Sequence, residues 1–212
     1  MEILDGKGHS FRAKIISLNR KEVVAEVIGT TRTNTESPLD LILIQGLLKG
    51  EKMDFVVQKT TELGIREIIP AVTERSQVKE TRKTARWRKI ALDAARQCGR
   101  SAAPVLHEPA LFQDLFSANP GYGPSIRKRK GLLFWEEGGM ALNDVRARIG
   151  ECASMAVAVG PEGGFTEAEA KRAESRGFFI ASLGNRILRA ETAAVTATAI
   201  IQFLFGDLGQ GH

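Results

Sequence analysis

Apolar and polar residues alternate from Ser10 to Leu18 and again from Glu22 to Gly29, with Asn19, Arg20 and Lys21 between the two runs. A period of two over paired runs of this length predicts a β-hairpin. Residues 30–38 are almost entirely Thr, Asn, Ser, Glu and Arg. That is the composition of an exposed connector with no packed face, so a boundary is expected near residue 36. Beyond it, short and nearly continuous apolar runs alternate with helical patterns. Strands are expected at Leu41–Gln45, Ile65–Val72, Leu132–Trp135, Met155–Val159 and Phe178–Leu183. Helices are expected at Lys52–Leu63, Arg82–Cys98 and Glu167–Arg176, stopping at Gly64, Gly99 and Gly177, each suited to a left-handed cap. Thr166 followed by Glu169 is a capping-box pattern, and a last helix is expected from about Glu191 to Phe205. Apolar strands separated by helices predict an α/β fold whose parallel sheet is covered on both faces.

A length of 212 residues suits one catalytic domain with a small appendage, here residues 37–212 preceded by residues 1–36. With 43% hydrophobic and 26% charged residues, the chain is expected to fold throughout. Residues 1–8 carry acids, a lysine and glycines in place of an apolar core, so no secretory signal is expected. The longest apolar stretch, Ala193 to Phe205, is broken by Thr196, Thr198 and Gln202 and is too short for a membrane span. Cys98 and Cys152 lack metal-ligand spacing, so neither a disulfide nor a metal site is expected, and a reducing cytoplasm is the expected location.

Charge adds one feature. From Arg75 to Arg100 nine basic residues stand against Glu80 and Asp93, a local balance of +7 within a chain of net +5. Such a segment beside a slightly acidic body marks a polyanion partner, although a solvated helix face would look the same. A shorter basic loop, Ile126 to Gly131 with Arg127, Lys128, Arg129 and Lys130, leads into a strand.

Candidate chemistry lies in two loops, each following a strand and preceding a helix. The first is Gly160-Pro-Glu-Gly-Gly164, in which glycines allow close approach of a ligand or a positive φ at the carboxyl end of a strand. It is neither GxGxxG nor GxxxxGK[ST], so no NAD or ATP site is implied, and a tight turn is the plainer reading. The second, Leu183-Gly-Asn-Arg-Ile-Leu-Arg-Ala-Glu-Thr-Ala193, mixes Arg186, Arg189 and Glu191 with apolar Ile187 and Leu188. It can offer an apolar wall and backbone groups to a purine, or Glu191 can serve only the positive end of the following helix.

These two loops, together with Gln58-Lys-Thr-Thr-Glu-Leu-Gly64 and Asp93-Ala-Ala-Arg-Gln-Cys-Gly-Arg100, resemble the ribosomal RNA small subunit methyltransferase E family over essentially all of Asp40 to Phe205. The resemblance implies S-adenosylmethionine-dependent formation of 3-methyluridine in 16S ribosomal RNA, on RNA or the small subunit as partner. It also implies a SPOUT fold with a C-terminal trefoil knot, one of the exceptions to unknotted chains, and a homodimer. The family begins with a complete PUA-like β-barrel. This chain supplies little more than one hairpin there, so residues 1–36 are expected to be a truncated PUA-like element.

Carried onto this sequence, the resemblance and the chemistry place the cofactor against Leu133, Phe134, Trp135, Val159, Gly160, Pro161, Glu162, Gly163 and Gly164. Leu183, Gly184, Ile187, Leu188, Arg189, Thr192 and Ala193 are expected to complete that cradle. Methylating nitrogen-3 of uridine requires loss of a weakly acidic proton, so Arg189 is expected to stabilise charge on the base or hold a phosphate, and Glu191 or Glu162 to handle the proton. Arg75, Arg82, Arg86 and Arg100, with Arg12 and Lys14 of the hairpin, are expected to hold RNA phosphates. Two other readings remain: a ribose 2′-O-methyltransferase of the same class, against which Leu188-Arg-Ala-Glu-Thr stands where an Asn-containing segment is usual, and a non-catalytic RNA-binding assembly protein.

Overall fold

The computed structural model describes residues 1–5, 8–31, 35–117, 126 and 128–209, so Arg127 of the basic loop lies outside the described residues. Strand β4 (Asp40–Gly46) is the axis of the molecule. Its residues Leu41, Ile42, Leu43 and Ile44 are fully buried whichever face they point to, which is what a continuous apolar run in a covered parallel sheet requires.

Around β4 the chain lays β5 (Glu67–Val72), β6 (Val105–Leu106), β7 (Ala110–Leu111), β8 (Lys130–Phe134), β9 (Ser154–Val159) and β10 (Phe178–Ala181). The order is β10-β8-β9-β4-β5-β6, with β7 also paired to β5, and every pairing is parallel. Helices α1 (Lys52–Glu62), α2 (Thr84–Gln97), α3 (Leu142–Ile149) and α5 (Ala190–Phe205) contribute to the core on one face of the sheet. Helix α4 (Glu167–Glu174) and the short turn Phe112–Phe116 cover the other. The strand order matters for function: β9 enters between β4 and β8, so the loops after β8, β9 and β10 emerge side by side at one end of the sheet.

The expected strands and long helices are present, with shifted ends. Strand β5 starts at Glu67 and not Ile65, because Gly64 at φ +82° turns the chain and Ile65 still donates its N–H back to Thr60 O at 3.0 Å. Gly99 and Gly177 also take positive φ after their helices, and the Thr166–Glu169 capping box forms with both reciprocal bonds. Strands β6 and β7, two residues each, and α3, barely two turns, are too short for periodicity to reveal.

At the amino end β1 (Glu2–Leu4), β2 (Ser10–Leu18) and β3 (Val23–Thr31) make a separate antiparallel sheet, in which Asn19 Oδ1 accepts the N–H groups of Lys21 and Glu22 to close the hairpin. Alternation predicted the hairpin of β2 and β3. Here Ile15 and its neighbour Ile16 are both exposed, and only Ser10 and Ala13 are buried.

The connector differs most from expectation. Glu36 and Ser37 are tied into the body: Ser37 Oγ donates to the buried Gln202 Oε1 at 2.7 Å, and Glu36 accepts from Arg100. Arg100, expected to hold RNA, is 6% exposed; its Nε and Nη2 reach Glu36 Oε2 at 3.0 and 2.6 Å, and its Nη1 donates to the carbonyls of Thr61 and Ile65. A guanidinium that is 6% exposed and has four of its five N–H donors committed in the interior cannot reach a phosphate, so Arg100 is removed from the RNA-binding set. Arg129 of the basic loop is likewise turned inward, onto Asp40 and Glu67. No helix among the described residues is long and apolar enough to cross a membrane.

Arg100→Met is expected to lower stability by about 3 kcal/mol in urea unfolding, because it takes the cation from the half-buried Glu36 carboxylate and removes one hydrogen bond from each of the Thr61 and Ile65 carbonyls. Burial acts to raise the Glu36 carboxyl, but the Arg100 hydrogen bonds and charge outweigh it and hold the group below its ordinary 4.5. A depressed carboxylate stabilises the fold above its unfolded pKa, and that contribution is lost as pH falls through the folded value. Arg100→Met should therefore also flatten the decline of stability below pH 4.5, read as unfolding midpoint against pH.

Candidate functional site

The carboxyl ends of β8, β9 and β10 surround a cavity of about 950 Å³, within the size that holds a nucleotide-sized ligand. Its floor is the loop after β9. Gly164 sits at φ +68° and returns its N–H to Pro161 O at 2.9 Å, which curls Gly160–Gly164 into a tight turn. The turn is pressed against β4: a Cβ on Gly46 would overlap the ring of Pro161, and one on Gly160 would stand 3.0 Å from the Gly164 carbonyl carbon. Gln45, fully buried, donates its Nε2 to Gly46 O and Gly160 O at 3.0 and 3.2 Å and so clamps the two strand ends. From the far side Trp135 Nε1 donates to Phe165 O at 3.2 Å.

The loop after β8 forms one wall. It runs back beside β10, with Trp135 N–H on Ala181 O, Met140 N–H on Ile180 O and Ser182 N–H on Met140 O. Gly139, at φ +137°, lies so close to the Ala181 backbone that a side chain there has no room. The loop after β10 forms the other wall and ends at Arg189, the N-cap of α5, whose carbonyl accepts from Ala193.

Most of the residues expected to cradle a cofactor line this cavity: Phe134, Trp135, Val159, Gly160, Pro161, Glu162 and Gly164 from two loops, and Leu183, Gly184, Ile187, Leu188, Arg189 and Ala193 from the third. Three do not. Leu133 is fully buried with its side chain in the core on the opposite face of the sheet; Gly163 faces Arg75 on the outside of the turn; Thr192 is exposed on α5 away from the cavity. Ile187 projects at the mouth, 88% exposed.

Both expected carboxylates are present, and a lysine not foreseen stands between them. Glu162 Oε1 accepts from Lys52 Nζ at 3.0 Å and from the Lys49 backbone N–H at 3.1 Å, while Glu191 Oε2 lies 4.0 Å from the same Nζ. Burial works to raise the Glu162 carboxyl, but these donors and the lysine charge leave it below its usual range. Glu162 Oε2 and Glu191 Oε2 are buried with no hydrogen-bond partner. The lining carries four acids (Glu136, Glu137, Glu162, Glu191) against Lys52, Arg186 and Arg189, so it suits a ligand with a cationic part.

Sequence reasoning missed Lys52, Glu136 to Gly139 and Asn143 of this lining, and named Arg186 only as one of the charges of the second loop. The run Trp135-Glu-Glu-Gly-Gly139 follows a strand just as the other two loops do, and that position was the available signal. It went unread because the helix after it is so short.

Of the cations expected to meet RNA, Arg12, Lys14 and Arg82 are exposed. Arg86 is exposed but joined to Asp54 at 2.7 Å, and Arg75 donates to Gly163 O at 3.2 Å, on the back of the glycine turn.

The model of the RNA methyltransferase domain matches residues 35–202. The chain is 32% identical over 212 residues to the ribosomal RNA small subunit methyltransferase E of Buchnera aphidicola, covering 98% of this chain and 80% of that one. Among solved structures it is similar to a ribosomal RNA small subunit methyltransferase E from Neisseria gonorrhoeae bound to S-adenosylmethionine, with TM-score 0.87 and 34% identity over 98% of this chain and 84% of that chain. A putative methyltransferase from Legionella pneumophila, in complex with the same cofactor, gives TM-score 0.84 and 33% identity with the same coverage of both chains.

The clamp between β4 and the glycine turn yields a test that needs no ligand. Gly46→Ala is expected to cost about 1–3 kcal/mol through overpacking against Pro161, lowering Tm by roughly 3 °C or more. Gly29→Ala, where a Cβ meets nothing within 4 Å, should leave Tm nearly unchanged.

Proposed function

The chain belongs to the ribosomal RNA small subunit methyltransferase E family, and on that premise we propose that it transfers the methyl group of S-adenosylmethionine to nitrogen-3 of a specific uridine in 16S ribosomal RNA. One observation carries the reading: three loops from adjacent parallel strands enclose a single cavity whose glycine turn presents bare backbone and whose rim holds Arg189 beside two carboxylates. The residues fit the cofactor. Phe134, Leu183 and Leu188 give an apolar wall for a purine, backbone groups of the turn and of residues 183–189 give it hydrogen-bond partners, and the Oε2 atom of Glu162, which accepts no hydrogen bond, suits its cationic groups.

When bound, S-adenosylmethionine supplies an electrophilic methyl group on a sulfonium sulfur. The protein's part is to present the base in line and to take the nitrogen-3 proton. Arg189, at the mouth and on the N-cap of α5, stabilises negative charge developing on the uracil oxygens or holds an adjoining phosphate. Glu191 or Glu162 receives the proton. A paired or stacked uridine must leave its stack to reach the cavity.

Finer features of the family follow as parts of the same proposal. Residues 1–36 act as a partial PUA-like RNA-binding element and residues 37–212 as the SPOUT domain, in keeping with a domain match that begins at residue 35. The segment after β10 threads a trefoil knot; in support, β10 lies at the sheet edge beyond β8, yet α5 returns to pack on α1 and β9. The protein works as a cytoplasmic homodimer, and Phe55 and Phe203, 44% and 62% exposed on the adjoining helices α1 and α5, supply apolar surface for the partner.

Nucleoside mass spectrometry of small-subunit RNA incubated with the protein and labelled cofactor should show label in 3-methyluridine; label in a ribose 2′-O-methyl group, or none, refutes the proposal. Arg189→Ala is expected to lower kcat about 10²-fold at saturating cofactor and RNA. RNA affinity should fall steeply with salt, and Arg82→Ala or Arg12→Ala should each reduce the slope of log affinity against log salt by about one unit.

A further inference from the structure

Lys52 opens α1 at the carboxyl end of β4, and its ammonium is where three separate segments meet: α1 itself, the glycine turn through Glu162, and α5 through Glu191. The contacts are unequal. Glu162 Oε1 has two donors, the ammonium at 3.0 Å and the Lys49 N–H at 3.1 Å, whereas Glu191 has only the ammonium at 4.0 Å. Each carboxylate keeps one buried oxygen that accepts no hydrogen bond, and in Glu191 that oxygen is the Oε2 facing the ammonium. Two carboxylates beside one cation cannot be equivalent when only one of them is held by hydrogen bonds, and such asymmetry is how a pair of like groups comes to take different tasks. The other charged groups lining the cavity are Glu136 and Glu137 on the wall after β8 and Arg186 and Arg189 on the wall after β10.

Resting on the function proposed above, we infer that Lys52 is a positioning residue that fixes Glu162 as the permanent anion anchoring the cofactor turn and leaves Glu191 as the acceptor of the uridine nitrogen-3 proton. In the step, the nitrogen-3 proton passes to Glu191 Oε2. The nitrogen then gives its electron pair to the methyl carbon as the carbon–sulfur bond breaks with its pair remaining on sulfur. Glu191 afterwards releases the proton to water. Glu162 does not exchange protons in this cycle; its work is to hold the turn against α1.

The experiment measures the pH dependence of kcat, and cofactor affinity by calorimetry, in the wild-type protein and four variants. Lys52→Met removes the cation from beside both carboxylates, so the acidic limb of the kcat profile should move to higher pH, and Lys52→Arg should bring it back. Glu191→Gln should lower kcat about 10²-fold and abolish the limb while leaving cofactor affinity within about threefold of wild type. Glu162→Gln should weaken cofactor binding by about tenfold or more and keep the limb. An unmoved limb in Lys52→Met, or a limb that survives in Glu191→Gln, overturns the inference while the methyltransferase reading stands. A wild-type protein that binds the cofactor yet places no methyl on uridine nitrogen-3 overturns both. A merely structural role for Lys52 would lower Tm and activity at every pH without moving the limb.

Discussion

The contact between the end of β4 and the turn after β9 governs the rest of the site. Gly46 has no space for a Cβ against Pro161, and Gln45 bridges the carbonyls of Gly46 and Gly160 from a fully buried position. Two strand ends pressed together this closely leave the turn one available shape, with Gly164 in the left-handed region and the backbone bare on its inner side. Three other segments are held to that turn: Trp135 through Phe165 O, Lys52 through Glu162, and Arg75, on its back, through Gly163 O.

The outer contacts of the turn give the basic segment a physical route to the cavity. Glu74 accepts from the Thr166 hydroxyl and gives its N–H to Glu169, the two residues of the capping box that starts α4, and Arg75 next to it lies on Gly163. The chain that begins the basic segment is therefore packed on the back of the turn whose front lines the cavity. Positive charge near the site is not spread evenly. Arg100 is consumed by the connector, Arg86 by Asp54 and Arg88 by Glu108, while Arg82 stays exposed. The Arg88–Glu108 pair is exposed on both sides and weak, whereas Arg86 holds a largely buried Asp54 through two nitrogens.

Much of the fold was legible because its signals are local. Continuous apolar runs foretold β4, β8 and β9, glycines after the helices foretold their ends, and Thr166 with Glu169 foretold the start of α4. Both glycine-bearing loops could be seen as site material for the same reason, since a strand, a glycine turn and a capped helix follow one another within a dozen residues. The third wall, residues 135–141, carried the same arrangement but was hidden by a helix too short to show a period. The hairpin alternation was also real, yet it did not tell which face would be covered.

What the sequence by itself determined was the kind and order of the elements, the α/β class, and the two loops that carry the family's pattern, all of which depend on neighbours a few residues apart. What only the tertiary structure decided was the use of each charge. Lys52 meets Glu162 across 110 residues, and Arg100 meets Glu36 across 64, so one lysine enters the site and one arginine leaves the RNA-binding set. A charged side chain reads the same in sequence whether it faces a phosphate or a buried carboxylate, and burial and partner distance, fixed when distant segments pack together, set them apart.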